Sequence, residues 1–197
     1  MPITINGSGT ITGISAGGLP DSIVTTDDIA NSAVTDAKIA AVAASKLTGT
    51  VAKAALPSGS VLQVVNATYS TQTTTTSSSF QDTGLTATIT PTSASNKILV
   101  LVSHPQNFTN NLSDSGLALA INLCRNGSSL TAWSNYLGFG STSNNFPSAG
   151  LVYWDTPATT SATTYKTQFC RNNGGTYQVS VQSSNTPSSI TLLEIAA

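Results

Sequence analysis

Charge is what this 197-residue chain has least of. Only 8% of its residues are Asp, Glu, Lys or Arg, against roughly 25% in an ordinary globular protein. The formal net charge is −1, with no basic stripe to track a phosphate backbone, so nucleic acid is not an expected partner. Long apolar runs are missing as well. The longest, Ile98-Leu99-Val100-Leu101-Val102, falls far short of the ~20 residues of a membrane-spanning helix, and no membrane insertion is expected. Met1-Pro2-Ile3-Thr4 offers neither the basic start nor the apolar core of a secretory signal, and the expectation is a soluble product of the cytosol. There are two cysteines, Cys124 and Cys170. In that compartment they read as reduced, buried small hydrophobes rather than as a disulfide.

The same scarcity removes most chemistry. A Ser-His-Asp arrangement needs a histidine base, and the single histidine, His104, is followed by Pro105 at an apparent strand exit. No Gly-x-Ser-x-Gly elbow surrounds a serine. One histidine and two distant cysteines make no zinc set. Gly7, Gly9 and Gly13 follow a short strand without the helix and downstream acid of a dinucleotide site. A glycosidase needs two facing carboxylates, and the C-terminal part offers only Asp82, Asp114, Asp155 and Glu194. Loop aspartates such as Asp114 and Asp155 are ordinarily solvated turn formers. The expectation is no enzyme, no catalytic residue, no cofactor and no metal.

What fills the space is Ser and Thr, at roughly three residues in ten, interleaved with 39% hydrophobic residues in strand-like runs. Candidate strands fall at 60–66, 85–90, 97–103, 116–124, 128–133, 150–154, 164–170, 176–183 and 190–195. Turn signals such as Arg125-Asn126-Gly127 and Asn172-Asn173-Gly174-Gly175 separate them, which argues for an antiparallel β-sandwich or jelly roll. Tyr69 to Ser79 is nearly pure Ser/Thr and reads as an edge strand or a long loop. Tyr177 to Gln182 alternates, so one face there is expected to be wet. The continuous runs Ile98–Val102 and Ile190–Leu193 are expected to be covered on both faces, the second cover coming from a neighbouring chain. Trp133, Tyr136, Phe139, Phe146, Tyr153 and Trp154 gather between strands. Core packing is the favoured account of them. The sharper one makes Trp133, Tyr136 and Trp154 contacts for a ligand at the outer loops.

The N-terminal third is organised differently. Residues 1–20 carry no charged side chain, and Ile3-Thr4-Ile5 and Thr10-Ile11-Thr12 flank a glycine-rich turn. They read as a frayed terminus or as an attachment segment that orders on a partner. From Asp21 to residue 57 one unit recurs four times: Val24-x4-Ile29, Val34-x4-Ile39, Val42-x4-Leu47 and Val51-x4-Leu56. A five-residue apolar spacing fits neither helix nor strand. It does match a hydrophobic staple around an N-cap, with Thr25 and Thr35 at the cap in the first two units and Ala43 and Ala52 in the last two. Each unit is then a bend and about one turn of helix, too short to stand alone. Repeat logic favours a stem wound from several copies, with those eight apolar residues as interior contacts. The expected division is an attachment segment at 1–20, a repetitive stem at 21–57 and a β-sandwich knob at 58–197.

Asp28 to Ala40, with its Ala-Asn-Ser-Ala-Val-Thr-Asp-Ala-Lys-Ile core, resembles the repeats of tail-fibre and virion fibre proteins of tailed bacteriophages, particularly those of marine and cyanobacterial hosts. Leu56-Pro57-Ser58-Gly59-Ser60-Val61-Leu62 is similar to the junction that opens their distal domain, and Phe80 to Leu85 with Lys97 to Val100 resembles its first strands. Residues 104–197 share only a strand pattern. The resemblance implies a homotrimeric virion fibre, assembled in the host cytoplasm, with a tumour-necrosis-factor-like or C1q-like knob whose C-terminal strand lies near the threefold axis. It implies attachment to capsid or tail proteins through residues 1–20 and a knob that contacts a host-surface glycan or protein, or decorates and stabilises the capsid. The 36 residues from Asp21 to Leu56 reach at most roughly 130 Å when fully extended, which favours a short head fibre or decoration protein over a long tail fibre. Two other classes stand beside this one. The first is a soluble carbohydrate-binding module. The second is a depolymerase working through Asp114 or Asp155.

Overall fold

The computed structural model describes residues 51–104, 108–109, 115–139, 148–172 and 177–197; at 54, 108–109, 115–117 and 134–139 it describes the backbone alone. By its contacts the chain divides between Thr50 and Val51, and all described residues belong to the unit Val51–Ala197. The expected attachment segment 1–20 and the expected stem contacts Val24, Ile29, Val34, Ile39, Val42 and Leu47 lie outside the described residues, as does Asp114.

The described part of the fourth repeat unit is a cap and a turn. Ala52 sits at the N-cap without a side-chain cap bond, Lys53–Ala55 form one turn of 3-10 helix, and Leu56 ends it in an extended conformation. Alanine has no oxygen to offer the turn's free amides, and the helix goes no further.

After it the described residues form the strands β1 (Val61–Tyr69), β2 (Thr73–Thr75), β3 (Gln81–Ile89), β4 (Lys97–His104), β5 (Phe108–Thr109), β6 (Ser115–Arg125), β7 (Ser128–Phe139), β8 (Ala149–Asp155), β9 (Thr163–Arg171), β10 (Val179–Val181) and β11 (Ser188–Ile195). Two four-stranded antiparallel sheets have the orders β1-β11-β4-β8 and β3-β9-β6-β7, and β2-β10-β5 forms a small third sheet. Apart from the β6–β7 hairpin, consecutive strands lie in different sheets, and the C-terminal strand is clasped between β1 and β4, the crossover pattern of a jelly roll. All nine expected strands are present. The Ser/Thr-rich run contributes β2, an edge strand of the small sheet.

Alternation explains the layers. Ile98, Val100 and Val102 of β4 face Leu85, Ala87 and Ile89 of β3 across the sandwich, with Leu123, Tyr165, Ile190 and Leu192 completing one buried cluster. A second cluster gathers Leu119, Ile121, Phe169, Tyr177, Val179 and Val181. Asn126 (φ 48°) and Gly127 (φ 86°) close the β6–β7 hairpin with Arg125 opposite Ser128. Left-handed backbone at both central positions is the type I′ turn that Asn-Gly favours.

One expectation about a face is corrected. Tyr177–Gln182 does not have a wet face: only Val179–Val181 form a strand, and Ser180 and Gln182 are as buried as the valines beside them. The run stops because Gln182 adopts a left-handed conformation and Ser183–Asn185 make a 3-10 turn. The apolar runs of β4 and β11 turn one face into the sandwich core and present the other outward, the face for which a neighbouring chain is the expected cover. Leu99, Leu101, Leu193 and Ile195 point away from the core and are half-buried or exposed.

Candidate functional site

Four polar groups cross the sandwich interior. His104 Nδ1 is 2.7 Å from Ser188 Oγ, and its Nε2 is 3.2 Å from Thr167 Oγ1. Thr167 Oγ1 is in turn 2.6 Å from Thr83 Oγ1. Alternation places His104 and Ser188 on the inner face of one sheet and Thr167 and Thr83 on the inner face of the other, so the chain of bonds ties the two layers together. All four side chains are fully buried. Burial pushes the His104 imidazole down to about 4, keeping it neutral near pH 7. A histidine bonded to a serine is the beginning of a nucleophilic pair, but no substrate reaches groups with zero exposure. The pair is a structural clasp.

The carboxylates are equally committed. Asp155, one of the two candidates for glycoside cleavage, accepts from Arg125 Nη1 at 2.8 and 2.9 Å and from the Tyr165 hydroxyl at 2.5 Å. Arg125 and Tyr165 come from one sheet and Asp155 from the other, a second tie at the sandwich end. Burial, then the bond to Asp155, raises the Tyr165 hydroxyl above the usual phenol range. Glu194 is buried on the inner face of β11. It accepts from Gln63 Nε2 at 2.6 Å, Thr92 N at 2.6 Å, Thr92 Oγ1 at 2.8 Å and Asn96 Nδ2 at 2.7 Å. Burial alone raises its pKa, but the bonds from Asn96, Thr92 and Gln63 outweigh that and hold it below the ordinary glutamate range. Cys124 and Cys170 are both buried and free, and burial raises both thiols. Among the described residues no three His, Cys, Asp or Glu side chains come together as a metal set.

What faces outward is more informative. On the outer face of the β1-β11-β4-β8 sheet the register lines up Val64, Leu193, Leu99 and Trp154 in one row across all four strands. The next row is Asn66, Thr191, Leu101 and Val152. Val152 is 71% exposed, Val64 58% and Trp154 50%, so large apolar side chains stand in solvent side by side. The one charge on these strands' outer face, Lys97, lies with its ammonium 5.9 Å from the Trp154 ring centroid. The opposite outer face, where β3 and β9 lie, is polar: Thr86, Thr88, Thr164, Lys166 and Gln168, with Asp82 bonded to Lys166 Nζ and to Gln168 Nε2 at 2.8 Å each.

The three candidate ligand aromatics are separated by the fold. Trp133 lies inward, packed against both core clusters, with its indole N–H buried and unpartnered. Trp154 stands on the exposed apolar face. Tyr136 is in β7, where only the backbone is described. Of the apolar repeat residues, Val51 and Leu56 are within the described part, 48% and 37% exposed. Leu56 lines an open cleft of about 450 Å³ with Lys53, Leu62 and Ala197. The continuous runs Ile98–Val102 and Ile190–Leu193 point to the outer apolar face in the sequence, whereas Val64, Val152 and Trp154 join it only through the register. The signal is the odd-numbered Leu99, Leu101, Leu193 and Ile195, apolar where an ordinary outer face is polar.

The fold is thus that of an all-β antiparallel sandwich with a jelly-roll strand order. No protein-family model matches the chain, and no curated protein matches it. Among solved structures it is similar to the infectious bursal disease virus VP2 subviral particle, at 16% identity and a TM-score of 0.37, over 68% of this chain and 32% of that one. It is also similar to a mutant VP2 protein of the same virus in derived T=1 particles, at 16% identity and a TM-score of 0.35, over 81% of this chain and 41% of that one. Another structure of the virus's derived T=1 particles gives 17% identity and a TM-score of 0.32, over 81% and 41%. The chain spans about a third to two fifths of the length of the proteins it matches. With identity this low and TM-scores below one half, these likenesses carry no argument about its role.

Proposed function

We propose that this chain is a structural protein of a phage particle, a short homotrimeric fibre or capsid decoration, and not an enzyme. In this reading residues 1–20 attach it to capsid or tail proteins, the repeats to residue 57 form the stem, and the sandwich is a knob for host-surface adhesion or capsid stabilisation. The observation that carries the proposal is the exposed apolar face of the β1-β11-β4-β8 sheet. Contiguous apolar surface of this kind marks a protein interface, and the covering partner proposed is a second and third copy of the same chain. The face has a single charge, Lys97, already placed on Trp154, so it matches a partner that is likewise uncharged and apolar. This chain, with its 8% of charged residues, is such a partner. The C-terminal strand β11 lies inside that sheet, which agrees with the place near a threefold axis that the resemblance to phage fibre knobs implies. The commitment of Asp155, Glu194 and His104 to internal bonds supports a structural over a catalytic reading.

The test is the mass of the full chain in solution by light scattering. A trimer is expected, and Leu101→Asp combined with Val152→Asp lowers the mass to that of a monomer without altering the β-sheet circular dichroism. A wild-type monomer overturns the assembly. A monomer that still holds a glycan favours the free-standing carbohydrate-binding module.

A further inference from the structure

The polar outer face contains a pocket that self-association through the apolar face leaves open. Between Asp82, opposite Gln168, and Thr86, opposite Lys166, β3 has three residues where β9 has only Thr167. Bulges of this kind bend the strand and re-aim side chains. Thr83 and Leu85 turn into the core, where Thr83 Oγ1 binds the Thr167 carbonyl at 3.1 Å. Gly84 takes the left-handed conformation between them (φ 86°), with the Tyr69 ring against it where a Cβ would stand. The strand bows, and a pocket of about 160 Å³ opens, lined by Asp82, Gly84, Leu85, Thr86, Lys166 and Thr167.

We infer that this pocket binds one ring of a neutral saccharide through a pair of adjacent hydroxyl groups. The volume is about half the ~300 Å³ at which pockets for drug-sized ligands begin, room for a single ring. Asp82 and Lys166 neutralise each other, so no net charge draws an anion or a cation into the pocket. Their unused valences still match a diol. Asp82 Oδ2 accepts from Lys166 Nζ, and Oδ1 accepts from Gln168 Nε2 with Lys166 Nζ also 2.8 Å away, so of the carboxylate's roughly four lone-pair sites one on Oδ2 is unused. One hydroxyl can therefore donate to Asp82 Oδ2 while Lys166 donates its remaining N–H to the oxygen of the adjacent hydroxyl. Both side chains are reachable, Asp82 56% and Lys166 30% exposed. Their mutual bond holds them in place before a ligand arrives, which lowers the ordering cost of binding. The inference rests on the proposed assembly for orientation only: with the apolar face turned toward the other copies, this pocket looks outward.

The test uses the full chain with the methyl glycosides of glucose, galactose and mannose, and inorganic phosphate as the anionic probe, by saturation-transfer NMR and titration. At least one hexoside binds, Asp82→Ala and Lys166→Ala each weaken it at least tenfold with circular dichroism unchanged, and phosphate does not compete. Binding to none of the three, binding indifferent to both substitutions, or competition by phosphate overturns the pocket. Light scattering on the same samples separates the two proposals. An assembled chain without hexoside binding removes the pocket alone, and a monomer that binds a hexoside through Asp82 removes the assembly alone.

Discussion

His104 Nδ1 lies 2.7 Å from Ser188 Oγ in a part of the sandwich that solvent does not reach. The imidazole is neutral there, with its pKa pushed down to about 4 by burial. In the unfolded chain it takes up a proton below about 6.5. Between those values the unfolded state binds more protons, so stability falls as the pH falls through the window and is unaffected above it. The two and a half units correspond to ~3 kcal/mol. Denaturant unfolding of the wild type between pH 7.5 and 4 is expected to show that slope, and His104→Gln to remove it while lowering stability at neutral pH. A wild-type stability that stays level through the window excludes a buried neutral histidine.

Glu194 gives the opposite edge of the acid response. Its carboxyl is held below the ordinary glutamate range by four neutral donors, so its contribution is present above about 4.5 and is lost as the pH falls further. Glu194→Gln keeps the shape but turns an N–H₂ toward groups that are themselves donors, leaving buried partners unmade. A loss of ~2–4 kcal/mol is expected at pH 7, shrinking below pH 4. A loss that does not change with pH points to packing rather than charge.

Gly84→Ala tests the bulge. A methyl there meets the Tyr69 ring, and the left-handed backbone (φ 86°) disfavours any side chain. A cost of ~1–3 kcal/mol is expected in thermal or urea unfolding, and the paired change Gly84→Ala with Tyr69→Ala restores part of it. Equal stability of Gly84→Ala and wild type contradicts the close approach of that ring.

The two tryptophans part in their response to truncation. Trp133→Ala removes a side chain packed against both buried clusters and is expected to cost ~3–5 kcal/mol, enough to unfold a marginal chain. Trp154→Ala removes a half-exposed ring from the apolar face. It is expected to leave the unfolding midpoint of the full chain within experimental error and, under the proposed assembly, to weaken self-association, read as a rise in the concentration at which the trimer mass is lost.

Much of this fold was legible in the sequence because strands declare themselves locally. Apolar runs separated by turn signals marked the strands, and Asn126-Gly127 marked its own hairpin through the left-handed backbone it tolerates. The site was less legible. The sequence shows His104 only as a strand exit, Glu194 only as one carboxylate among four, and Leu99 and Leu193 only as parts of apolar runs with no named partner strand. Each is decided by a partner far away in the chain: Ser188 for His104, Thr92 and Asn96 for Glu194, and Trp154 and Val64 for the outer apolar row. Ser180 and Gln182 show the reverse error. Their alternation promised a wet face, and tertiary packing buries both sides of that strand.

The sequence by itself determined a β-rich C-terminal part with little charge, its strands, one tight hairpin and a repeated apolar spacing before it, since these follow from spacing and backbone preference within a few residues. Only the tertiary structure decided which strand lies beside which and what each outward face presents. Pairing β11 between β1 and β4 aligns four apolar side chains into one exposed row, and bowing β3 against β9 opens a polar pocket on the other side. Both depend on cross-strand register between segments distant in sequence, which the hydrophobic pattern constrains only to one face or the other.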